Sequence, residues 1–110
     1  METIDRETLK QWLDEKRDVT LVEVLPPDKF GAFHLPGATN IPLAEDFEAR
    51  VQEQFPDRFQ PIVVYCEDHE CSASTKAASR MDELGYQKVY DYEGGKRDWK
   101  QAGLPVEEGF

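Results

Sequence analysis

Two cysteines stand five positions apart in this chain, Cys66 and Cys71. Cys66 directly follows a run of strand-forming residues, Pro61-Ile62-Val63-Val64-Tyr65. Cys71 opens onto Ser72-Ala73-Ser74-Thr75-Lys76-Ala77-Ala78, a stretch compatible with a helix. A loop that curls from a strand into a helix start leaves several backbone N–H groups without helical partners, and such groups attract negative charge. A thiol among them is favoured as thiolate, the form that attacks. Cys66 is therefore the candidate nucleophile. The backbone N–H groups of Glu67, Asp68, His69, Glu70 and Ser72 are the candidate substrate-binding donors.

The loop side chains oppose this effect. A helix start favours an anion by about 0.3–1 kcal/mol, and by up to ~2 kcal/mol when partly buried. At a separation of ~8 Å and an effective dielectric of ~40, each of Glu67, Asp68 and Glu70 would cost a thiolate about 1 kcal/mol. Poor affinity for anionic substrates is expected. His69 offsets one charge only when protonated and is read as an exposed loop residue. His34 is read as a backbone hydrogen-bonding residue near the Pro36-Gly37 turn, not as a catalyst.

Cys71 admits three roles. It could resolve an oxidised Cys66 by forming an internal disulfide, whose short loop gives a nominal gain of only about 2 kcal/mol. It could be a neutral residue at the helix start. It could join Cys66 and His69 as a metal ligand, but three candidates without a fourth make a weak site, so no metal and no cofactor are expected.

The elements that must hold this loop can be traced along the chain. Asp5 is placed to cap a helix carrying Leu9, Trp12 and Leu13 at helical spacing. A buried strand is expected over Thr20 to Leu25, ended by Pro26 and Pro27. Asp28 to Phe33 reads as one helical turn, and His34 to Ala38 as a turn leading to Ile41-Pro42-Leu43. An amphipathic helix is predicted over Glu45 to Gln54, with Phe47 and Val51 inward and Glu45, Asp46 and Glu48 on a solvated face. The strand from Pro61 to Tyr65 enters the cysteine loop, and a helix covers Ser72 to Leu84, ended by Gly85. Lys88 to Asp91 is a further strand. Glu93-Gly94-Gly95 is expected to be a tight connection with positive backbone angles, before a helix over Lys96 to Gln101. Trp12 and Trp99 are read as cover for the core. Strands alternating with helices predict an α/β fold with a parallel sheet.

Size and charge narrow the functions. The 110 residues suit one domain spanning 1–110, with 39% hydrophobic and 11% aromatic residues, a folded composition. Thirteen basic against 23 acidic side chains give a formal charge of −10, which disfavours nucleic acid and anionic membranes as partners. No run of ~20 apolar residues could span a bilayer. The acidic start Met1-Glu2-Thr3-Ile4-Asp5 does not read as a leader. A cytoplasmic setting and a monomer are the expectations.

Several segments, in order, resemble the rhodanese-like domain family. They are Leu21-Val22-Glu23-Val24, the stretch from His34 to Pro42, Ile62-Val63-Val64-Tyr65-Cys66, and Tyr92-Glu93-Gly94-Gly95 with Trp99 and Ala102 to Val106. The resemblance covers nearly the whole chain. It implies a small parallel sheet flanked by helices, with the active loop at the carboxyl end of the central strand. It also implies that Cys66 occupies the position where family members carry a persulfide. Many sulfurtransferases of the family have a glycine inside this loop and an arginine five residues after the cysteine. Here His69 and Cys71 fall at those positions, while Glu23 and Leu25 replace the usual aspartate and arginine of the first strand. The loss of both basic residues disfavours thiosulfate, phosphate and arsenate as substrates.

Three functions follow from this reading. The leading one is a sulfurtransferase-like enzyme in which Cys66 carries sulfane sulfur, its partner being a donor or acceptor thiol on a small molecule or a protein. The second is a thiol redox module using Cys66 and Cys71. The third is a non-catalytic acidic module that binds a basic protein surface.

Overall fold

The computed structural model describes residues 1–110. Its five strands form one parallel sheet in the order β1-β5-β4-β2-β3. The strands are β1 (Glu2–Ile4), β2 (Thr20–Glu23), β3 (Thr39–Asn40), β4 (Ile62–Tyr65) and β5 (Val89–Tyr92). The helices are α1 (Arg6–Asp14), α2 (Pro27–Ala32), α3 (Phe47–Gln54), α4 (Ala73–Glu83) and α5 (Gly95–Gln101). No helix is long and apolar enough to cross a membrane.

The two-residue period of a strand decides which side chain enters which layer. On β4 every residue is buried, as expected for a strand covered on both faces. Ile62, Val64 and then Cys66 pack with Val22 and Val24 of the β2 segment, Val89 of β5, Phe47 and Val51 of α3, and Ala77, Ala78 and Met81 of α4. Val63 and Tyr65 face the other way, into a second cluster with Leu9 of α1, Leu21, Leu35, Tyr92 and Trp99 of α5. Cys66 thus belongs to the layer of α3 and α4, at the end of the central strand. Trp12 and Trp99 both pack on the second cluster, as expected of core cover.

Several boundaries differ from the sequence reading. Strand β1 was not anticipated, because only Ile4 of its three residues is buried; its register with β5, Ile4 against Tyr92, makes it a strand. Strand β3 also went unread, between the predicted turn over His34 to Ala38 and Ile41. Its two residues pair with Val22 and Glu23, and the Asn40 side chain donates to the carbonyls of Glu23 (3.1 Å) and Leu25 (2.7 Å). The β2 ladder stops at Glu23, not at Leu25. Helix α3 begins at Phe47 rather than Glu45, because a turn from Ala44 O to Phe47 N (3.1 Å) precedes it. Glu45 and Asp46 therefore lie ahead of the helix, while Glu48 faces Arg80 at 3.7 Å. In the Glu93-Gly94-Gly95 connection only Gly95 has a positive φ, +75°; Gly94 has φ −58°.

One buried ion pair ties helix α5 to the sheet. Lys96 and Glu23 are both essentially inaccessible, with Nζ to Oε2 at 3.1 Å. The ammonium also donates to the carbonyls of Lys29 (2.6 Å) and Phe33 (2.8 Å), so it closes the end of α2 as well. Burial pushes the Glu23 carboxyl up, and hydrogen bonding and charge attraction from Lys96 partly counter that. Tyr65, on the same face, is pushed up by burial and then by the nearby Glu23 charge.

Candidate active site around Cys66

The backbone of the cysteine loop is fixed by the start of α5. The carbonyl of Cys66 accepts from Lys96 N (3.0 Å), and that of Glu67 accepts from Arg97 N (3.0 Å). In a planar trans peptide the N–H points opposite to the carbonyl of the same unit. Turning these two carbonyls toward α5 therefore turns the N–H groups of Glu67 and Asp68 away from it. Neither N–H, nor that of His69, has an acceptor within the chain. The close approach depends on Gly95. A Cβ there would stand 2.7 Å from Glu67 C, Glu67 O and Asp68 N.

Not every expected donor is free. The Asp68 side chain accepts from Glu70 N (3.1 Å), and its carbonyl accepts from Cys71 N (3.1 Å). These bonds fold residues 68–71 into a turn and remove Glu70 from the set of free N–H groups. Ser72 N at the head of α4 has no acceptor, and the Ser72 side chain makes no cap bond. The turn returns Cys71 over Cys66. The two residues are joined as a disulfide, with Cα atoms 6.4 Å apart.

Cys66 is buried, whereas Cys71 is partly accessible. The Cys66 sulfur lies 3.7 Å from the hydroxyl oxygen of Ser74 and 3.4 Å from the Cys71 carbonyl. Ser74 is itself buried, and this sulfur is the hydrogen-bonding partner of its hydroxyl. Ser74 was missed by the sequence reading, although its place in the first turn of the predicted helix put it one helical turn beyond Cys71. Lys96 was missed too. A glutamate on an inward position of an apolar strand was the available signal, since a buried carboxylate needs a partner.

The charges around the loop are less uniform than the sequence reading assumed. Glu67 is paired with Arg97, Oε1 to Nε at 2.7 Å, so one of the three opposing carboxylates is compensated. Asp68 bonds the backbone, and Glu70 is exposed. His69 is exposed and borders two shallow hollows. One, of about 390 Å³, is lined by Asp68, His69, Glu70, Gly94, Arg97, Asp98 and Gln101. The other, of about 450 Å³, includes Asp5, Arg6, Tyr92 and Asp98, where Asp98 accepts from Arg6 and Tyr92 at 2.7 Å each. A larger hollow of about 690 Å³, between α2 and the C-terminal segment, contains neither cysteine. His69 does not join the two sulfurs, and no three His, Cys, Asp or Glu side chains converge as a metal site. His34 is buried, with Nδ1 2.9 Å from the Phe30 carbonyl of α2. Its side-chain backbone contact is thus on α2, and not at the Pro36-Gly37 turn.

A parallel five-stranded sheet with a cysteine loop between its central strand and the following helix defines the class. The family model of the rhodanese-like domain matches residues 5–102, and the chain belongs to that family. It is 40% identical over 95 residues to the HTH-type transcriptional regulator Rv0324 of Mycobacterium tuberculosis. That match covers 86% of this chain but only 40% of the regulator. It is 31% identical over 103 residues to a sulfurtransferase of Allochromatium vinosum, covering 94% of this chain and 92% of that protein. Among solved structures it is similar to the rhodanese-like domain of the Anabaena Alr3790 protein. The TM-score is 0.86 at 25% identity, covering 98% of this chain and 80% of that one.

Proposed function

We propose that this domain carries sulfane sulfur as a persulfide on Cys66 and passes it between thiols. The observation that supports the reading best is the orientation of the loop peptides. The carbonyls of Cys66 and Glu67 are held by α5, which leaves the N–H groups of Glu67 and Asp68, the two residues that follow Cys66 in the chain, without partners. A persulfide is an anion at neutral pH, and fixed N–H donors stabilise it without reorganisation. The sulfurtransferase relative, matched over nearly its whole length, supports the same class of chemistry.

Small persulfides or a persulfidated protein are the proposed donors, and a thiol is the proposed acceptor. Thiosulfate is disfavoured because Cys71 stands where an arginine would bind its oxygens. Incubating the reduced protein with thiosulfate, with a low-molecular-weight persulfide and with no donor, followed by peptide mass spectrometry, tests the proposal. The expected product with the persulfide is one added sulfur atom on Cys66, or its onward product, and neither in Cys66→Ser. A wild-type protein left unchanged by every donor would refute it.

A further inference from the structure

We infer that Cys71 is a second reacting thiol, which discharges the Cys66 persulfide as hydrosulfide and leaves the Cys66–Cys71 disulfide. This rests on the sulfur-carrier reading and adds an activity to it: reduction of sulfane sulfur at the expense of a dithiol. Three observations carry the inference. The chain joins the two sulfurs across a separation of five residues, with Cα atoms 6.4 Å apart. The turn that returns Cys71 is held from within, by the Asp68 carbonyl on Cys71 N and the Asp68 carboxylate on Glu70 N, so proximity does not depend on a partner molecule. Cys66 is shielded while Cys71 is partly accessible. In the disulfide the accessible sulfur is that of Cys71, the one a reducing thiol from solution meets first, and in the persulfide Cys71 is the thiol that the fold holds beside the inner sulfur.

In the step, the Cys71 thiol loses its proton and its sulfur attacks Sγ of Cys66. The bond between Sγ and the outer sulfur breaks, and the outer sulfur leaves with that electron pair. It takes up the proton released by Cys71, so a persulfide anion and a thiol become a disulfide and hydrosulfide. No outside oxidant is needed. A dithiol reductant, of small-molecule or protein kind, then returns both cysteines to thiols by two exchange steps and is itself oxidised to a disulfide. The substrate class is any persulfide that can load Cys66.

The test is a single turnover. Reduced protein, freed of reductant, is mixed with one equivalent of a low-molecular-weight persulfide. Hydrosulfide and the state of each cysteine are then followed by a sulfide assay and peptide mass spectrometry. Wild type should release about one equivalent of hydrosulfide per disulfide formed, the stoichiometry of the exchange step. Cys71→Ser and Cys71→Ala should hold the persulfide on Cys66, with hydrosulfide release slowed on the order of 100-fold because the tethered attacker is gone. Running both variants, each with a thermal unfolding midpoint, separates a lost thiol from a lost fold. If both fail to fold, wild type still decides by the order of events: a Cys66 persulfide that forms first and decays as hydrosulfide and the disulfide appear supports the inference, and hydrosulfide released with no such intermediate overturns it. A wild-type protein that keeps its persulfide while Cys71 stays a free thiol overturns the inference and leaves the carrier reading intact. Folded variants that release hydrosulfide as fast as wild type also overturn it. Absence of both persulfide and hydrosulfide from every form removes the carrier reading itself, and this inference with it.

Discussion

Ser74 illustrates how a side chain outside the cysteine loop can set the reactivity within it. Its hydroxyl is buried, faces the Cys66 sulfur at 3.7 Å and has no other hydrogen-bonding partner. A hydroxyl in that position donates to sulfur, and the bond strengthens as the sulfur becomes negative. Ser74→Ala should therefore slow alkylation of reduced Cys66 by a neutral reagent near neutral pH. The loss of one hydrogen bond to the thiolate, about 0.5–1.5 kcal/mol, corresponds to roughly a threefold to tenfold effect. It should also displace the pH dependence of the alkylation rate upward. The measurement is the alkylation rate as a function of pH, with Ser74→Thr as the hydroxyl-bearing control. An unchanged profile would mean that Ser74 fills space and does nothing to the sulfur. The loop acids act less directly than Ser74. Glu67 is already paired with Arg97, so its charge reaches Cys66 only in part.

At the scale of elements, the start of α5 holds the loop as surely as the strand that precedes it. Gly95 has φ +75°, and a Cβ there would press on the peptide between Glu67 and Asp68 at 2.7 Å. Gly95→Ala combines a left-handed backbone, costing about 1–2 kcal/mol for a residue with a Cβ, with a clash that backbone atoms cannot evade cheaply. Overpacking of this kind adds about 1–3 kcal/mol. The expected result is a lower denaturant midpoint together with slower persulfide loading of Cys66, because the loop peptides must rotate or withdraw. Normal loading at reduced stability would separate the loop geometry from the chemistry. Much of this arrangement was legible in the sequence. The unbroken apolar run of β4 announced a central strand, and Cys66 at its end announced the loop. The short edge strands β1 and β3 were not legible, because two or three residues carry no period of their own and gain their conformation from the neighbouring strand. The anchor of α5 was hidden for a related reason. Lys96 reads as an ordinary helical lysine until the fold brings it 3.1 Å from Glu23, 73 residues away in the chain. The free N–H groups were likewise unreadable one by one, since Asp68 consumes those of Glu70 and Cys71 through local turns that composition alone does not specify.

Across the whole molecule the formal charge of −10 bears on every encounter with a charged reagent. Near the loop, Asp68, Glu70 and Asp98 border the same hollow as His69 and Arg97, so the negative field is partly offset locally while the long-range field is not. The repulsion of an anion by a distant charge is screened over about 8 Å at physiological ionic strength and over about 30 Å at 0.01 M. Attack by Cys66 on thiosulfate, a dianion, should therefore accelerate as salt is raised between those limits. Reaction with a neutral disulfide of similar size should barely respond, because no monopole is being brought in. Removing the compensating charge with Arg97→Ala should steepen the salt dependence for thiosulfate by exposing the Glu67 carboxylate, and Glu67→Gln on that background should restore it. The rates are measured in a non-coordinating salt at fixed pH, with the protein reduced and each reagent in excess. Equal responses from the charged and the neutral reagent would place the effect of salt on the sulfur's own ionisation. A thiosulfate rate that falls with salt would mean that local cations, Arg97 foremost, outweigh the acidic surface at the point of attack.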